Sequence, residues 1–310
     1  MNGLRGVLLG SCIAAVSLVP AQAARLVPIV PVPNSTATVA YAINDDNVIA
    51  GGFVDGDGVE HAFFGTPDGQ YTTFDAGEGG SEARGINDDG IVVGMSNSQS
   101  GDTAAQPIFE RKADGTLLNV TRAGVQLFGS AQQINNADGE FAGTYWDFTN
   151  HHAVAFAGKN GKWRRDVKIS EVHQASAARG INGTDAVVGS YFRPPMHGFL
   201  VSNRKLSTID YPSARNAGTE LEGINDSGQA VGQWVDGKGA THSFVLDIAS
   251  NTFTDIKVKG ASEVKAWGIN EAGAVALETD IGAFIWCQHR SACPSGGIFV
   301  AAPVRRPKRP

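Results

Sequence analysis

Apolar and polar residues alternate along this chain in short runs, and Gly, Pro, Asn or Asp ends each run. That is the pattern of β-strands separated by turns. One phrase recurs six times: an apolar residue, Asn, a turn, then an apolar strand that often ends in Gly. It stands at Ile43-Asn44, Ile86-Asn87, Ile134-Asn135, Ile181-Asn182, Ile224-Asn225 and Ile269-Asn270. The Asn residues follow one another at intervals of 43, 48, 47, 43 and 45 positions. A period in the forties with several strands per copy predicts a β-propeller.

Copy four shows the unit most clearly. Ala178–Asn182 reads as a first strand, Ala186–Tyr191 as a second, His197–Val201 as a third and Leu206–Asp210 as a fourth. The predicted fold is therefore all-β: a six-bladed propeller with four antiparallel strands per blade. The first turn, as in Asn87-Asp88-Asp89-Gly90 and Asn225-Asp226-Ser227-Gly228, has the composition of a tight hairpin that needs positive φ. Copy three carries one extra residue there, Asn135-Asn136-Ala137-Asp138-Gly139. A ring must also close, because open strand edges pair with other chains. Leu26–Pro31 resembles the fourth strand Leu206–Tyr211 and predicts closure by the N-terminal segment as the outer strand of the last blade. Pro is tolerated at such an edge. Ile298-Phe299-Val300 is the rival closing strand.

The 310 residues are 42% hydrophobic and 18% charged, with 39 Gly, which suits a turn-rich β protein. Arg5, the apolar Val7–Val19 and Ala21-Gln22-Ala23 read as a secretory leader over residues 1–23, with cleavage before Ala24. A lipoprotein reading through Cys12 is the lesser alternative. No later segment is apolar enough to span a membrane, so a soluble, secreted (periplasmic or extracellular) and monomeric protein is expected. Cys287 and Cys293 then remain and are expected to form a local disulfide. The propeller is placed at 24–303 and a disordered basic tail at 304–310. The net charge of −6 sits on a body more acidic than that, because Arg305, Arg306, Lys308 and Arg309 lie in the tail. Such a body excludes nucleic acid as the main partner.

Gly85-Ile86-Asn87-Asp88-Asp89-Gly90-Ile91-Val92-Val93-Gly94, with His61-Ala62-Phe63 and the variants His197-Gly198-Phe199 and His242-Ser243-Phe244, resembles the bacterial extracellular HAF repeat. The resemblance covers nearly all of the mature chain and implies an exported β-repeat protein. It does not imply an activity. The His position is Pro107, Val154 and Gly282 in three copies, which counts against a mechanism that needs His in every blade.

His61, His197 and His242 sit at one blade position, too far apart to share a metal. A blade-supporting role, such as a bond to a loop carbonyl, is expected for them. Asp55-Gly56-Asp57-Gly58 with Glu60 hints at calcium but lacks the spacing of a full calcium loop. The familiar hydrolase and phosphate-binding motifs are absent, as are sialidase boxes. No cofactor is expected.

The positions that vary are more informative. Five copies have a small Ala in the inner strand (Ala40, Ala83, Ala131, Ala178 and Ala266), expected to let the inner strands crowd the axis, and one has Leu221. The residue that follows is Tyr41, Arg84, Gln132, Arg179, Glu222 or Trp267. Two positions before that residue come Val39, Glu82, Ser130, Ala177, Glu220 and Lys265. These rows should ring the channel mouth, where a repeat scaffold carries its function. Arg forks suit carboxylates, and Trp and Tyr stack on sugar faces. The expected function is non-enzymatic binding at this ring, through Tyr41, Arg84, Gln132, Arg179, Glu222, Trp267, Glu82 and Glu220. The partner would be a carbohydrate, such as an acidic glycan, a small anion or another protein. One alternative is a glycan or lactone hydrolase or lyase using Glu82, Glu220 or Glu222 as acid or base. Another is a structural surface protein, with the Arg and Glu residues paired and filling the channel.

Overall fold

Six antiparallel sheets surround one axis. The computed structural model describes residues 24–97, 106–169, 175–214 and 218–294. The leader, Cys12, the rival strand Ile298–Val300 and the basic tail lie outside the described residues. Blades one to five begin with the inner strands Ala37–Ile43, Ser81–Ile86, Gly129–Ile134, Ser176–Ile181 and Thr219–Ile224. Blade six begins with Val264–Ile269 and is completed by Arg25–Pro28, which pairs antiparallel with Gly282–Cys287. The N-terminal strand thus closes the ring, as its pattern predicts. The described residues form 26 strands. Beyond the 24 of the six blades, blade three gains a small hairpin, Thr121–Arg122 with Val125–Gln126, on its outer edge. Cys287 and Cys293 form the expected disulfide. No helix of the described residues is long and apolar enough to cross a membrane.

Packing explains the repeated words. The repeated Gly lies inside the second strand, which runs on past it, and faces a Phe on the third: Gly51 with Phe63, Gly94 with Phe109, Gly143 with Phe156, Gly189 with Phe199 and Gly232 with Phe244. A Cβ on Gly94 would lie 2.9 Å from the Phe109 ring and 2.0 Å from the Glu82 carbonyl oxygen. In blade six the same pair is Ala276 and Ile285, where a smaller partner leaves room for a methyl. These fully buried rings feed five of the six apolar clusters, one at each blade interface, and Trp286 is the buried ring of the remaining one.

The repeated Asn closes the ring from within. Each Oδ1 accepts an N–H of its own turn, as from Ile91 at 2.9 Å for Asn87. Each Nδ2 donates to the backbone oxygen of the next blade's Asn. The series runs Asn44 to Asn87 (3.2 Å), Asn135 (3.4 Å), Asn182 (3.3 Å), Asn225 (3.1 Å) and Asn270 (3.0 Å), then back to Asn44 (3.0 Å). All six are buried. The last turn residue has the expected positive φ in every copy, from Asn47 at 60° to Gly273 at 82°.

Candidate functional site

Each inner strand has a register shift at the same place, for example between Ala83 and Gly85. A bulge leaves one residue unpaired and re-aims its side chain. Tyr41, Arg84, Gln132, Arg179, Glu222 and Trp267 are unpaired, with Gln133 also unpaired in blade three, and all six ring residues line one axial cavity. The sequence reading of the ring anticipated this convergence. The reason given there for the neighbouring Ala needs correction, however. Ala40, Ala83, Ala131, Ala178 and Ala266 are wholly buried between blades rather than at the axis. The inner strands crowd one another at the glycines after the ring instead. A Cβ on Gly180 would stand 3.0 Å from the Gly223 Cα.

The ring fills its own centre. Arg84 pairs with Glu82, and its guanidinium lies 3.8 Å from the Tyr41 ring centroid. Tyr41 meets Trp267 edge-on at 5.4 Å. Trp267 Nε1 donates to Glu278 (3.0 Å), which also takes Lys265 (3.3 Å). Across the axis Arg179 lies 3.7 Å from Glu220 and 3.8 Å from Glu222. Burial raises Glu222 above the usual carboxylate range despite Arg179. What remains on the axis is about 40 Å³, room for a few waters at most.

The inner end of the channel is braced as well. In blade three Gln133 occupies the position that is Gly in four other blades. Its amide crosses to blade five, donating to the Ile224 oxygen (2.7 Å) and accepting from the Ile224 N–H (3.0 Å). Gly180 makes this possible, since a Cβ there would sit 2.8 Å from the Gln133 Oε1.

A larger space opens beside the axis. A pocket of about 430 Å³ between blades three and four is lined by Ser130, Gln132, Thr144, Trp146, Ala177 and Arg179, with Gln106, Gly129, Tyr145 and Ala153 at its edge. It lies here because Ser130 and Ala177 are adjacent small members of the row that carries Glu82, Glu220 and Lys265 in other blades. Gln132 and Arg179 border both the axis and the pocket. Trp146 and Thr144 fall outside the ring as read from sequence. Their only signal was aperiodicity at the end of the second strand.

Glu60 was missed as well, except as a fragment of the calcium hint. It opens the third strand of blade one and meets Glu82 above Gly52, whose Cβ would lie 2.9 Å from Glu60 Oε1 and 3.6 Å from Glu82 Cγ. Burial, then the charge of Glu82, pushes Glu60 up to about 7. Asn97 donates to Glu60 (3.4 Å). Asp55 is engaged within its own turn: its Oδ1 accepts the N–H groups of Asp57 and Val59, both at 2.9 Å.

The repeated His residues bind carboxylates, not the loop carbonyls expected. His61 bridges Asp75 (2.9 Å) and Asp55 (3.2 Å), His197 pairs with Asp210 (2.9 Å) and His242 with Asp236 (3.0 Å). Each stacks on a second-strand ring: Phe53, Tyr191 or Trp234. The hydrogen bond from His242 and those from nearby backbone N–H groups hold Asp236 down at about 2.

No protein-family model and no curated protein matches the chain. Solved structures do match, and they are propellers. TolB from Acinetobacter baumannii superposes with a TM-score of 0.53 at 11% identity, covering 82% of this chain and 64% of TolB. Aleuria aurantia lectin, solved with α-methyl-L-fucoside, gives 0.52 at 11% identity over 88% of this chain and all of the lectin. A prolyl endopeptidase gives 0.51 at 9% identity over 79% of this chain. The chain spans about two fifths of that enzyme, 39% of its length. The fold is a six-bladed β-propeller. At these identities the likeness concerns the fold alone.

Proposed function

We propose that the protein is an exported, non-enzymatic binding propeller that holds a small ligand at the channel mouth, in the pocket between blades three and four. One observation carries this: about 430 Å³ of concave space borders Arg179, Gln132 and Trp146, within the size range of small-ligand sites. Export is supported by the disulfide and by the leader read from the sequence, and the HAF-repeat resemblance agrees with it. The carboxylates that a hydrolase reading requires are already engaged, Glu82 by Arg84 and both Glu220 and Glu222 by Arg179. That pairing supports binding over bond cleavage.

Thermal unfolding against a saccharide library tests the proposal. At a hundredfold excess over Kd a ligand adds about 2.7 kcal/mol, or about 5–10 °C in a domain of this length. Ala177→Trp fills the pocket and should abolish the shift, as should the milder Trp146→Ala. Equal shifts in parent and both variants would place binding elsewhere and refute this assignment.

A further inference from the structure

The pocket has a definite electrostatic character, and it narrows the ligand class. Arg179 is the cation that lines it, and Arg179 stands between two carboxylates, Glu220 at 3.7 Å and Glu222 at 3.8 Å. The cluster therefore has a single guanidinium already engaged by two carboxyl groups, and burial holds the Glu222 one above the usual carboxylate range. The next cation around the mouth, Arg84, is matched by Glu82, with Glu60 behind it. A carboxylate or sulfate on a ligand would have to compete with Glu220 and Glu222 for Arg179 and would lie beside Glu220, and in a partly buried site such repulsion is weakly screened.

The hydrogen-bonding groups point the same way. Gln132 Nε2 donates to Ser130 Oγ (2.8 Å), and Ser130 Oγ donates to the Ala131 oxygen (3.1 Å). Among the described residues nothing donates to Gln132 Oε1, so it is left as an acceptor. An acceptor is satisfied by a hydroxyl and not by an ionised carboxylate, which can only accept. Trp146 adds a flat apolar surface of the kind that stacks on a sugar ring.

We infer that the pocket takes an uncharged, hydroxyl-rich ring, a neutral saccharide unit, and discriminates against its acidic counterparts. This rests on the reading of the pocket as the ligand site. It replaces the acidic glycan that the two ring arginines suggest when their carboxylate partners are not considered.

The test is titration calorimetry with matched pairs: methyl hexopyranosides and N-acetylhexosamines against the corresponding uronates and sulfated forms. The neutral member should bind, and the acidic one about tenfold or more weakly. Glu220→Gln, which removes one negative charge and keeps the side-chain shape, should narrow that gap several-fold. Tighter binding of the acidic members by the parent, lost in Ala177→Trp, overturns the inference and leaves the pocket as the site. Heat from neither series overturns both. An unchanged gap in a folded Glu220→Gln protein overturns the electrostatic cause, and with it the inference.

Discussion

At the scale of single residues, the mouth is governed by carboxylates placed against one another. Glu60 and Glu82 meet above a glycine that leaves space for both, and Asn97 and Arg84 are the donors at hand. The folded protein holds the Glu60 proton up to about 7, whereas the unfolded chain releases it near the ordinary carboxyl value of 4.5. The folded state then binds more protons between these two values. The stability contributed by this proton is full below about 4.5, falls as pH rises and is gone above about 7. Glu60→Gln keeps the hydrogen-bonding shape without the titration. Its melting temperature should fall less than the parent's between pH 4.5 and 7.5. The difference should be about 2 °C, after discounting for the partial exposure of the side chain. Parallel pH profiles for the two proteins would contradict the raised Glu60 carboxyl.

At the scale of strands, most of the blade was legible in the sequence because its rules are local. Alternation gives the strands, and Asn and Gly give the turns. The ring residues were legible for a related reason: on a repeated frame, the position that refuses to repeat stands out. Trp146, Thr144 and Gln133 were not legible. Their roles depend on which blade lies beside or across from them, and a one-dimensional period carries no such information. The bulge that aims the ring inward was hidden too, since Ala-x-Gly has the composition of an ordinary strand. The closing strand belongs to the legible part and gives a sharp test. Leu26, Val27, Ile29 and Val32 are all buried against blade six or blade one. Removing residues 24–32 exposes their apolar partners and an unpaired strand edge. At roughly 1.5–3 kcal/mol for each buried side chain, the loss is comparable to the roughly 5–15 kcal/mol that hold a typical domain together. The truncated chain should aggregate or elute as an expanded species in size exclusion. A monomer with the parent melting temperature would mean that the ring closes without this strand.

At the scale of the whole molecule, ring closure is also a hydrogen-bonding problem, and the six Asn residues solve it with one cyclic belt. The bond from Asn270 Nδ2 to the Asn44 oxygen joins residues 226 positions apart and makes the first and last blades neighbours. Asn270 Oδ1 meanwhile accepts from the Ala274 N–H at 2.8 Å, so the side chain links its own turn to the next blade. Asn270→Ala leaves both partners unsatisfied in a buried place and should lower the unfolding free energy by roughly 1–3 kcal/mol. Asn225→Ala, one step back in the belt, should cost a similar amount, since it loses its bond to the Asn270 oxygen (3.0 Å). The two changes touch adjacent links, so their sum should depart from additivity in a double-mutant cycle, as groups in one network do. Belt and pocket are separate parts of the molecule: no belt Asn lines the space between blades three and four. Saccharide affinity measured well below the melting temperature should therefore be unchanged in Asn270→Ala. Strict additivity in urea melts would show that the belt acts as six independent turns. A large loss of affinity in the folded variant would show that the scaffold and the ligand site are coupled.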